Sequence, residues 1–178
     1  MVDRGRAHGY PLPWRRPTVK AHKTNAARLL DRAKISYELI PYDVDENDLS
    51  AEHLAEQLGQ ELGSVFKTLV LKGDKTGFFV CVVPGGADVD LKKAARVSGN
   101  KSASMIPMKD LVAVTGYMRG GCSPLGMKKV FPTYMDESSR NRDKIYVSAG
   151  QRGLQLHLAP DDLARAASAV LADLVAER

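Results

Sequence analysis

Two apolar, β-rich runs joined by a short polar turn constrain the fold of this chain more than any other feature. Residues 66–71 and 78–83 are mostly apolar and rich in residues that favour strands. The segment between them, residues 72–77, is Lys-Gly-Asp-Lys-Thr-Gly, which is typical of a hairpin turn. The pattern therefore predicts two neighbouring antiparallel strands in the centre of the chain.

Helices and further strands surround this hairpin without a regular βαβ alternation. Apolar spacing and capping residues predict helices that start after Thr24, after Ser50 (ending at Gly59), at Asp90, at Met108 and at Pro160. The last helix is expected to present one apolar stripe of Leu163, Ala167, Val170, Leu171 and Leu174. Additional strands are predicted over residues 36–44, 130–135, 145–147 and 154–158. We expect an α+β fold, a single domain with a mixed, largely antiparallel sheet packed by helices.

Composition indicates one soluble domain preceded by a basic arm. The chain has 178 residues, of which 44% are hydrophobic and 26% charged. Residues 1–22 are rich in proline, glycine and basic side chains, so we interpret them as a flexible basic arm and residues 23–178 as the folded domain. No apolar run approaches the roughly 20 residues of a membrane helix, and the first residues lack the apolar core of a secretory signal.

Charge is unevenly distributed along the chain, whose net charge is +5. Residues 24–91 carry six basic and twelve acidic side chains, whereas residues 92–152 carry twelve basic and four acidic ones. This polarity fits a basic surface for a polyanion, and it also fits solvated faces that do not converge in space.

Cysteine and histidine usage gives no indication of a metal or a disulfide framework. The two cysteines, Cys81 and Cys122, lie in different settings, and the four histidines are scattered along the chain. This usage is typical of a reducing cytoplasm, and we expect neither a metal nor a cofactor.

A glycine loop and one lysine are the residues best suited to chemistry. Residues 120–126 read Gly-Gly-Cys-Ser-Pro-Leu-Gly, and glycine backbone can approach a ligand closely because it has no Cβ. Lys67 stands within an apolar strand, where a charge is costly unless it faces a cleft or a partner. Together they predict a site for an anionic, carbonyl-bearing ligand, although an edge-strand lysine can also simply extend to solvent.

Cys122 is the one tempting nucleophile, because it lies in the glycine loop. No histidine is placed near it in sequence to form a thiolate pair, and no Gly-x-Ser-x-Gly motif occurs. We therefore interpret Cys122 as a small filler whose backbone matters more than its sulfur.

Several segments in consistent order resemble the YbaK/EbsC family, aminoacyl-tRNA deacylases related to the editing insertion domain of bacterial prolyl-tRNA synthetase. The resemblance spans about residues 24–175 and is carried by Lys67-Thr68-Leu69, Asp90-Leu91-Lys92-Lys93, the loop from Gly116-Tyr117 to Gly126, and residues 145–154. It implies a cytoplasmic enzyme that clears mischarged Cys-tRNA(Pro), and possible activity on Cys-tRNA(Cys), by attack of the substrate's own thiol on its ester. It also implies contact with the acceptor end of aminoacyl-tRNA and a transient complex with prolyl-tRNA synthetase.

The resemblance also assigns roles to residues at matching positions. It implies that Lys67 lies near the terminal adenosine and its phosphate, and that the backbone of Gly120 and Gly121 holds the aminoacyl carbonyl. The same resemblance implies that the pocket is completed by Tyr42, Thr68, Ser123, Pro124 and Ser148.

One position departs from the family pattern. Gln155 stands where relatives carry an aspartate, which retains hydrogen bonding but removes a negative charge. Two other functions stay open at this point. One is a deacylase for alanyl- or seryl-tRNA, and the other is a non-catalytic module that binds tRNA or a synthetase.

Overall fold

Two β-sheets and five α-helices make up the part of the chain that the computed structural model describes, residues 23–176. The helices are α1 (Asn25–Arg32), α2 (Ala51–Leu58), α3 (Leu91–Val97), α4 (Leu111–Thr115) and α5 (Pro160–Ala167). The strands are β1 (Glu38–Pro41), β2 (Phe66–Gly73), β3 (Gly77–Pro84), β4 (Ala103–Met105), β5 (Thr133–Asp136), β6 (Ile145–Gln151), β7 (Leu154–Leu158) and β8 (Val170–Ala172).

The larger sheet is mixed and the smaller one is antiparallel. Five strands follow the order β4-β2-β3-β5-β8, in which β3-β5 and β5-β8 are parallel pairs and the others antiparallel. Three strands form the second sheet in the order β1-β7-β6. A single bridge between Val65 and Tyr146 joins the start of β2 to β6. The expectation of an α+β domain with a mixed, largely antiparallel arrangement is confirmed.

Local signals set most element boundaries. The predicted central hairpin is confirmed, with Lys67 opposite Val83 and Gly73 opposite Gly77. Side chains of Thr24, Ser50 and Asp90 accept backbone N–H bonds at the starts of α1, α2 and α3, as N-caps do. These helices begin where the capping residues predicted.

The predicted final helix is too long. It starts at Pro160 but ends at Ala167, because Ser168 adopts a left-handed conformation with φ 50°. The chain then pairs with β5 as strand β8 over Val170–Ala172. Val170 is exposed and Leu174 is fully buried in another cluster, so the proposed apolar stripe does not form one face. An open strand edge, which the local pattern does not reveal, outcompeted helix propagation here.

Smaller differences concern element ends. The strand expected over residues 130–135 begins only at Thr133, and Val130 is 97% exposed. The strand expected over 36–44 is limited to Glu38–Pro41, and the helix expected from Met108 is a 3-10 turn, Met108–Asp110, followed by α4. Strand β4 was not predicted, since its three residues carry no pattern of their own.

Three apolar clusters stabilise the fold. The largest contains residues of both sheets together with α1 and α5, and a second packs α3 and Leu174 against β2 and β3. The third lies between α2 and the small sheet, around Ala55, Val65 and Tyr146. Burying such side chains contributes roughly 1.5–3 kcal/mol each. The space bordered by α2, β2 and the small sheet holds the site described below.

Within residues 23–176, no helix is both long and apolar enough to cross a membrane. The basic arm predicted for residues 1–22 lies outside the described residues.

Candidate active site

A cavity of about 490 Å³ opens beside β2 and the helix α2. Its wall is built from β2, the segment leading into α2, the glycine loop, and Ser148 and Gln155 of the small sheet. This volume lies in the range of small-ligand sites in proteins, roughly 300–1,000 Å³. The cavity therefore joins segments that are more than a hundred residues apart in sequence.

Five of the eight predicted site residues line this cavity: Tyr42, Lys67, Thr68, Gly120 and Ser148. The other three, Gly121, Ser123 and Pro124, are buried within the glycine loop and do not border it. The cavity thus brings together the lysine strand and the first glycine of the loop, and the rest of the loop packs behind its wall.

Lys67 is the second residue of β2 and is partly exposed. Consecutive strand residues point to opposite faces, so Lys67 lies on the face of Leu69 and Leu71, and Thr68 lies on the face of Phe66 and Val70. Among the described residues, no ion pair or hydrogen bond involves the Lys67 ammonium. The ammonium is therefore available to a phosphate or a developing oxyanion at the cavity.

The glycine loop is tightly constrained at its start. Gly120 has φ 80°, a left-handed conformation that favours glycine. A Cβ on Gly121 would approach the backbone of Gln151 and Arg152 to 3.0–3.1 Å. The Nε–H of Arg152 also donates to the carbonyl of Arg119 at 2.8 Å. The turn between β6 and β7 therefore holds the loop against the cavity.

Hydrogen bonding decides which loop amides remain for a ligand. The N–H of Gly121 donates to the carbonyl of Met118 at 2.9 Å and so serves the turn. Within the described residues, no hydrogen bond uses the N–H of Gly120 or Cys122. Both residues border the cavity, which makes their amides the candidate donors to a carbonyl oxygen bound there.

Ser123 and Pro124 shape the loop from inside the protein. Ser123 is fully buried, and its Oγ accepts the N–H of Leu125 at 3.3 Å. The hydroxyl of Tyr117 donates to the carbonyl of Leu125 at 2.6 Å, and burial raises the pKa of Tyr117 to about 12. The structure thus gives this part of the loop internal partners.

Both thiols are kept protonated by their surroundings. Cys122 borders the cavity but is only 9% exposed, and burial raises the pKa of its thiol to about 12. Burial likewise raises the pKa of Cys81, which lies in the core beside Leu71, to about 12. A thiol is nucleophilic as its thiolate, so neither cysteine is an activated nucleophile.

The mouth of the cavity is acidic, which sequence reasoning missed. Asp43, Asp45 and Asp48, which lie in the segment before α2, border the cavity together with His53. The Nε2 of His53 lies 3.9 Å from Oδ2 of Asp45, and its Nδ1 lies 3.7 Å from Oδ2 of Asp48. Among the described residues, however, no three His, Cys, Asp or Glu side chains are arranged so that they could hold a metal ion. The clustering of aspartates before Ser50 was the available signal.

Two polar atoms in the wall have no partner. The Oγ1 of Thr68 and the Oε1 of Gln155 are buried, and neither makes a hydrogen bond within residues 23–176. Most buried polar atoms in proteins are hydrogen-bonded, so these two mark the wall as a place where a ligand supplies the partner.

The basic segment 92–152 is partly neutralised by ion pairs. Lys93 pairs with Asp173, Arg142 with Glu61, and Lys144 with Glu38. Arg119 is the basic residue of this segment that borders the cavity, and it is exposed. A larger basic surface for a polyanion stays a prediction.

An α+β domain whose cavity combines a lysine strand with a glycine loop defines a class of protein. The family model described as "Aminoacyl-tRNA editing domain" matches residues 45–166 of this chain. That match covers well over half of the chain and includes every residue that borders the cavity from Asp45 onward. The chain therefore belongs to the aminoacyl-tRNA editing domain family.

Relatives place the chain within this family more closely. It is 53% identical over 139 residues to an Enterococcus faecalis protein named "Putative Cys-tRNA(Pro)/Cys-tRNA(Cys) deacylase EbsC", with 78% of this chain and 85% of that protein covered. It is 29% identical to the proline–tRNA ligase of Shouchella clausii, over 77% of this chain and 21% of the ligase. A crystal structure described as "a putative trans-editing enzyme for prolyl tRNA synthetase" superposes with a TM-score of 0.72 at 25% identity, covering 86% of this chain and 99% of that one.

Proposed function

We propose that this protein is a trans-editing deacylase that clears Cys-tRNA(Pro), and also Cys-tRNA(Cys), by using the thiol of the substrate as nucleophile. The relative that is 53% identical carries these two substrates in its name. We further propose that the editing domain receives the acceptor end of the tRNA and that it works in a transient complex with prolyl-tRNA synthetase.

The protonated state of Cys122 is the observation that carries the proposal. It is the cysteine of the cavity wall, and its raised pKa of about 12 removes it as an effective nucleophile near neutral pH. The hydroxyl of Ser148 accepts a bond from the N–H of Gly150 at 3.1 Å, and among the described residues no hydrogen bond joins it to a histidine. These observations support a mechanism in which the substrate itself supplies the attacking group.

The substrate thiol supplies this group without a protein nucleophile. Its sulfur attacks the ester carbonyl carbon, the bond to the ribose oxygen breaks, and that oxygen leaves as a hydroxyl with the proton that the thiol gives up. The product is a cyclic thiolactone, which water then opens to cysteine. A well-oriented intramolecular attack can reach effective molarities on the order of 10⁵ M or more.

In this mechanism the protein stabilises charge and orients the ester. The amides of Gly120 and Cys122 donate to the carbonyl oxygen as it becomes an oxyanion, and each well-placed donor contributes roughly 3 kcal/mol. The Lys67 ammonium binds the terminal adenosine or its phosphate at the cavity. A pocket that sorted by size alone would separate similar side chains by only about 1–3 kcal/mol, whereas chemistry that requires a thiol selects cysteine more strongly.

Deacylation of three substrates tests the proposal. Purified protein is mixed with Cys-tRNA(Pro), Ser-tRNA(Pro) and Ala-tRNA(Pro), and released amino acid is measured over time with mass spectrometry of the products. We expect rapid clearance of the cysteinyl substrate alone, with thiolactone as the first product. Similar rates on serine or alanine substrates, without thiolactone, would indicate hydrolysis by a broader deacylase. If none of the three aminoacyl-tRNAs is deacylated, the protein is a binding module and not an enzyme.

The variant Cys122→Ala separates a substrate thiol from a protein thiol. It removes the sulfur but retains the loop backbone, whose N–H groups stabilise the oxyanion in the proposed mechanism. We therefore expect deacylation of Cys-tRNA(Pro) to stay within about threefold of the wild-type rate. Complete loss of activity in a folded variant, or an acyl group trapped on Cys122 of the wild type, would contradict the proposal.

A further inference from the structure

Two buried side-chain atoms without a hydrogen-bond partner among residues 23–176 lie in the cavity wall. They are the hydroxyl oxygen Oγ1 of Thr68 and the carboxamide oxygen Oε1 of Gln155. A third such atom among these residues, Ser139 Oγ, does not border the cavity. Leaving a buried polar atom without a hydrogen bond costs about 1–3 kcal/mol. A protein that maintains two such atoms beside one cavity retains them for a ligand that supplies the missing bonds.

The small sheet holds Gln155 in place. The residue is the second of β7, the central strand of this sheet, and lies between Ile40 of β1 and Ser148 of β6 in the cross-strand register. It is only 3% exposed, and its neighbours Leu154 and Leu156 point to the opposite face, into the largest apolar cluster. A central strand flanked on both sides fixes the backbone position from which the carboxamide extends.

The chemistry of the two atoms defines what they bind. A carboxamide oxygen only accepts hydrogen bonds, and a threonine hydroxyl can accept as well. The ligand must therefore bring strong N–H or O–H donors into the cavity. The strong donors at the aminoacyl end of a tRNA are the free ribose hydroxyl, the adenine amino group and the α-ammonium group. Of these, only the α-ammonium group is charged, and it carries three N–H donors.

Charge at the mouth of the cavity favours the same ligand group. Asp43, Asp45, Asp48 and Glu52 border the cavity and outnumber its two cationic side chains, Lys67 and Arg119, so a cation approaching the wall is attracted. The wall atoms themselves are neutral, so they accept hydrogen bonds from an ammonium without requiring a buried ion pair. Such a site retains free aminoacyl groups and rejects N-acylated ones, whose amide nitrogen is uncharged and has a single N–H.

We propose that Gln155 and Thr68 bind the α-ammonium group of the aminoacyl ester and so restrict the enzyme to substrates with a free amino group. The inference rests on the proposed function, since it concerns the substrate of that same cavity. It adds a specificity for the amino group to the selection of the thiol.

Binding of two stable probes tests this proposal independently of catalysis. One is 3′-(L-cysteinylamino)-3′-deoxyadenosine, and the other carries 3-mercaptopropanoyl in place of cysteinyl and so lacks only the amino group. Their amide linkage resists thiol attack. By calorimetry we expect the wild type to bind the cysteinyl probe about tenfold or more tightly than the mercaptopropanoyl probe, the difference that a charged hydrogen bond makes.

Variants of Gln155 identify the atom responsible. Gln155→Leu removes the acceptor, and the two probes should then bind within about twofold of each other; Gln155→Glu keeps an acceptor and should retain the preference. Gln60→Leu is the matched control, because Gln60 is exposed and does not border this cavity. Thermal melting shows whether each variant folds, and Thr68→Val provides a second removal of an acceptor should Gln155→Leu not fold.

Two outcomes would overturn the proposal. One is equal binding of both probes, or of neither, by the wild type. The other is a tenfold preference that survives in folded Gln155→Leu. The proposed function is judged separately by turnover of Cys-tRNA(Pro). Amine-dependent binding without turnover would refute that function and support this inference, and turnover with amine-independent binding would do the reverse.

Discussion

Two polar clusters, one around Asn100 and one in the cavity wall, differ in how far their hydrogen-bonding groups have partners within the protein. The side chain of Asn100 is 9% exposed, accepts the N–H groups of Lys75 and Thr76 at 2.9 Å each, and donates to Thr76 Oγ1 and Ser98 Oγ at 2.8 Å each. In the cavity wall, by contrast, Thr68 Oγ1 and Gln155 Oε1 have no hydrogen-bond partner in the part of the chain that the structure describes.

The difference separates groups that stabilise the fold from groups that await a ligand. Asn100 closes the turn between β2 and β3, and its hydrogen-bonding capacity is used within the protein. In the free protein, the two wall atoms without hydrogen bonds are energetically unfavourable, and a bound substrate that donates to them relieves this cost. We therefore expect changes around Asn100 to affect stability and changes in the cavity to affect activity.

The largest expected effect comes from Lys67→Ala. Removing the cavity ammonium should lower kcat/KM for Cys-tRNA(Pro) by about 10- to 100-fold, because a hydrogen bond from a charged group to the substrate contributes about 1.5–3 kcal/mol. The melting temperature should stay close to wild type, because Lys67 has no ion pair in the described part of the chain.

Lys72→Ala is the matched control on the same strand. Lys72 is exposed and extends over the ring of Phe78, 5.6 Å from its centroid, away from the cavity. Its activity should be near wild type. Equal losses in the two variants would show that net charge, and not position at the cavity, determines activity.

The next largest effect is expected from Asn100→Ala, which breaks the satisfied cluster. We expect the free energy of unfolding, measured by urea denaturation, to fall by about 1–3 kcal/mol, because buried and turn groups lose their partners. Activity per folded molecule should be unchanged below the melting transition. A loss of activity greater than the loss of folded protein would show that the turn also influences the site, and would contradict the assignment of Asn100 to stability alone.

The smallest expected effects come from replacing threonine by valine at two buried hydroxyls, Thr115 and Thr68. Thr115 is 1% exposed, and its hydroxyl donates to the carbonyl of Leu111 at 2.7 Å and accepts the N–H of Tyr117 at 2.9 Å. Thr115→Val should therefore lower the free energy of unfolding by about 1–2 kcal/mol. Thr68→Val removes an unpartnered hydroxyl and should leave stability unchanged or slightly higher, while lowering kcat/KM by about tenfold.

Thermal melts and turnover of these two variants are read together. Destabilisation by Thr68→Val comparable to that of Thr115→Val would mean that the Thr68 hydroxyl has a structural partner in solution. Full activity in Thr68→Val would remove this residue from the substrate site.

Much of the fold could be predicted because its signals are local. The turn of residues 72–77 and the caps Ser50, Gly59 and Asp90 act within a few residues, and the structure confirms them. The error in the last helix has the opposite origin. Residues 170–172 pair with β5, about 35 residues earlier in the chain, and no local pattern indicates that edge.

The candidate site divides along the same line. Lys67 stands out in sequence because a charge within an apolar strand is costly, and the glycine loop stands out because its composition suits a close approach of backbone. The acidic mouth and the position of Cys122 in the wall did not stand out, since both depend on how distant segments meet.

The sequence by itself determined the local elements, the family and the residues around which a site could form, because turn, cap and strand preferences act over short distances. Only the tertiary structure decided what those residues do. It used the N–H of Gly121 within a turn, kept the Cys122 thiol protonated by burial, and left Thr68 and Gln155 without partners. The physical reason is that hydrogen-bond satisfaction and burial depend on every neighbour in space, and most of these neighbours are distant in the chain.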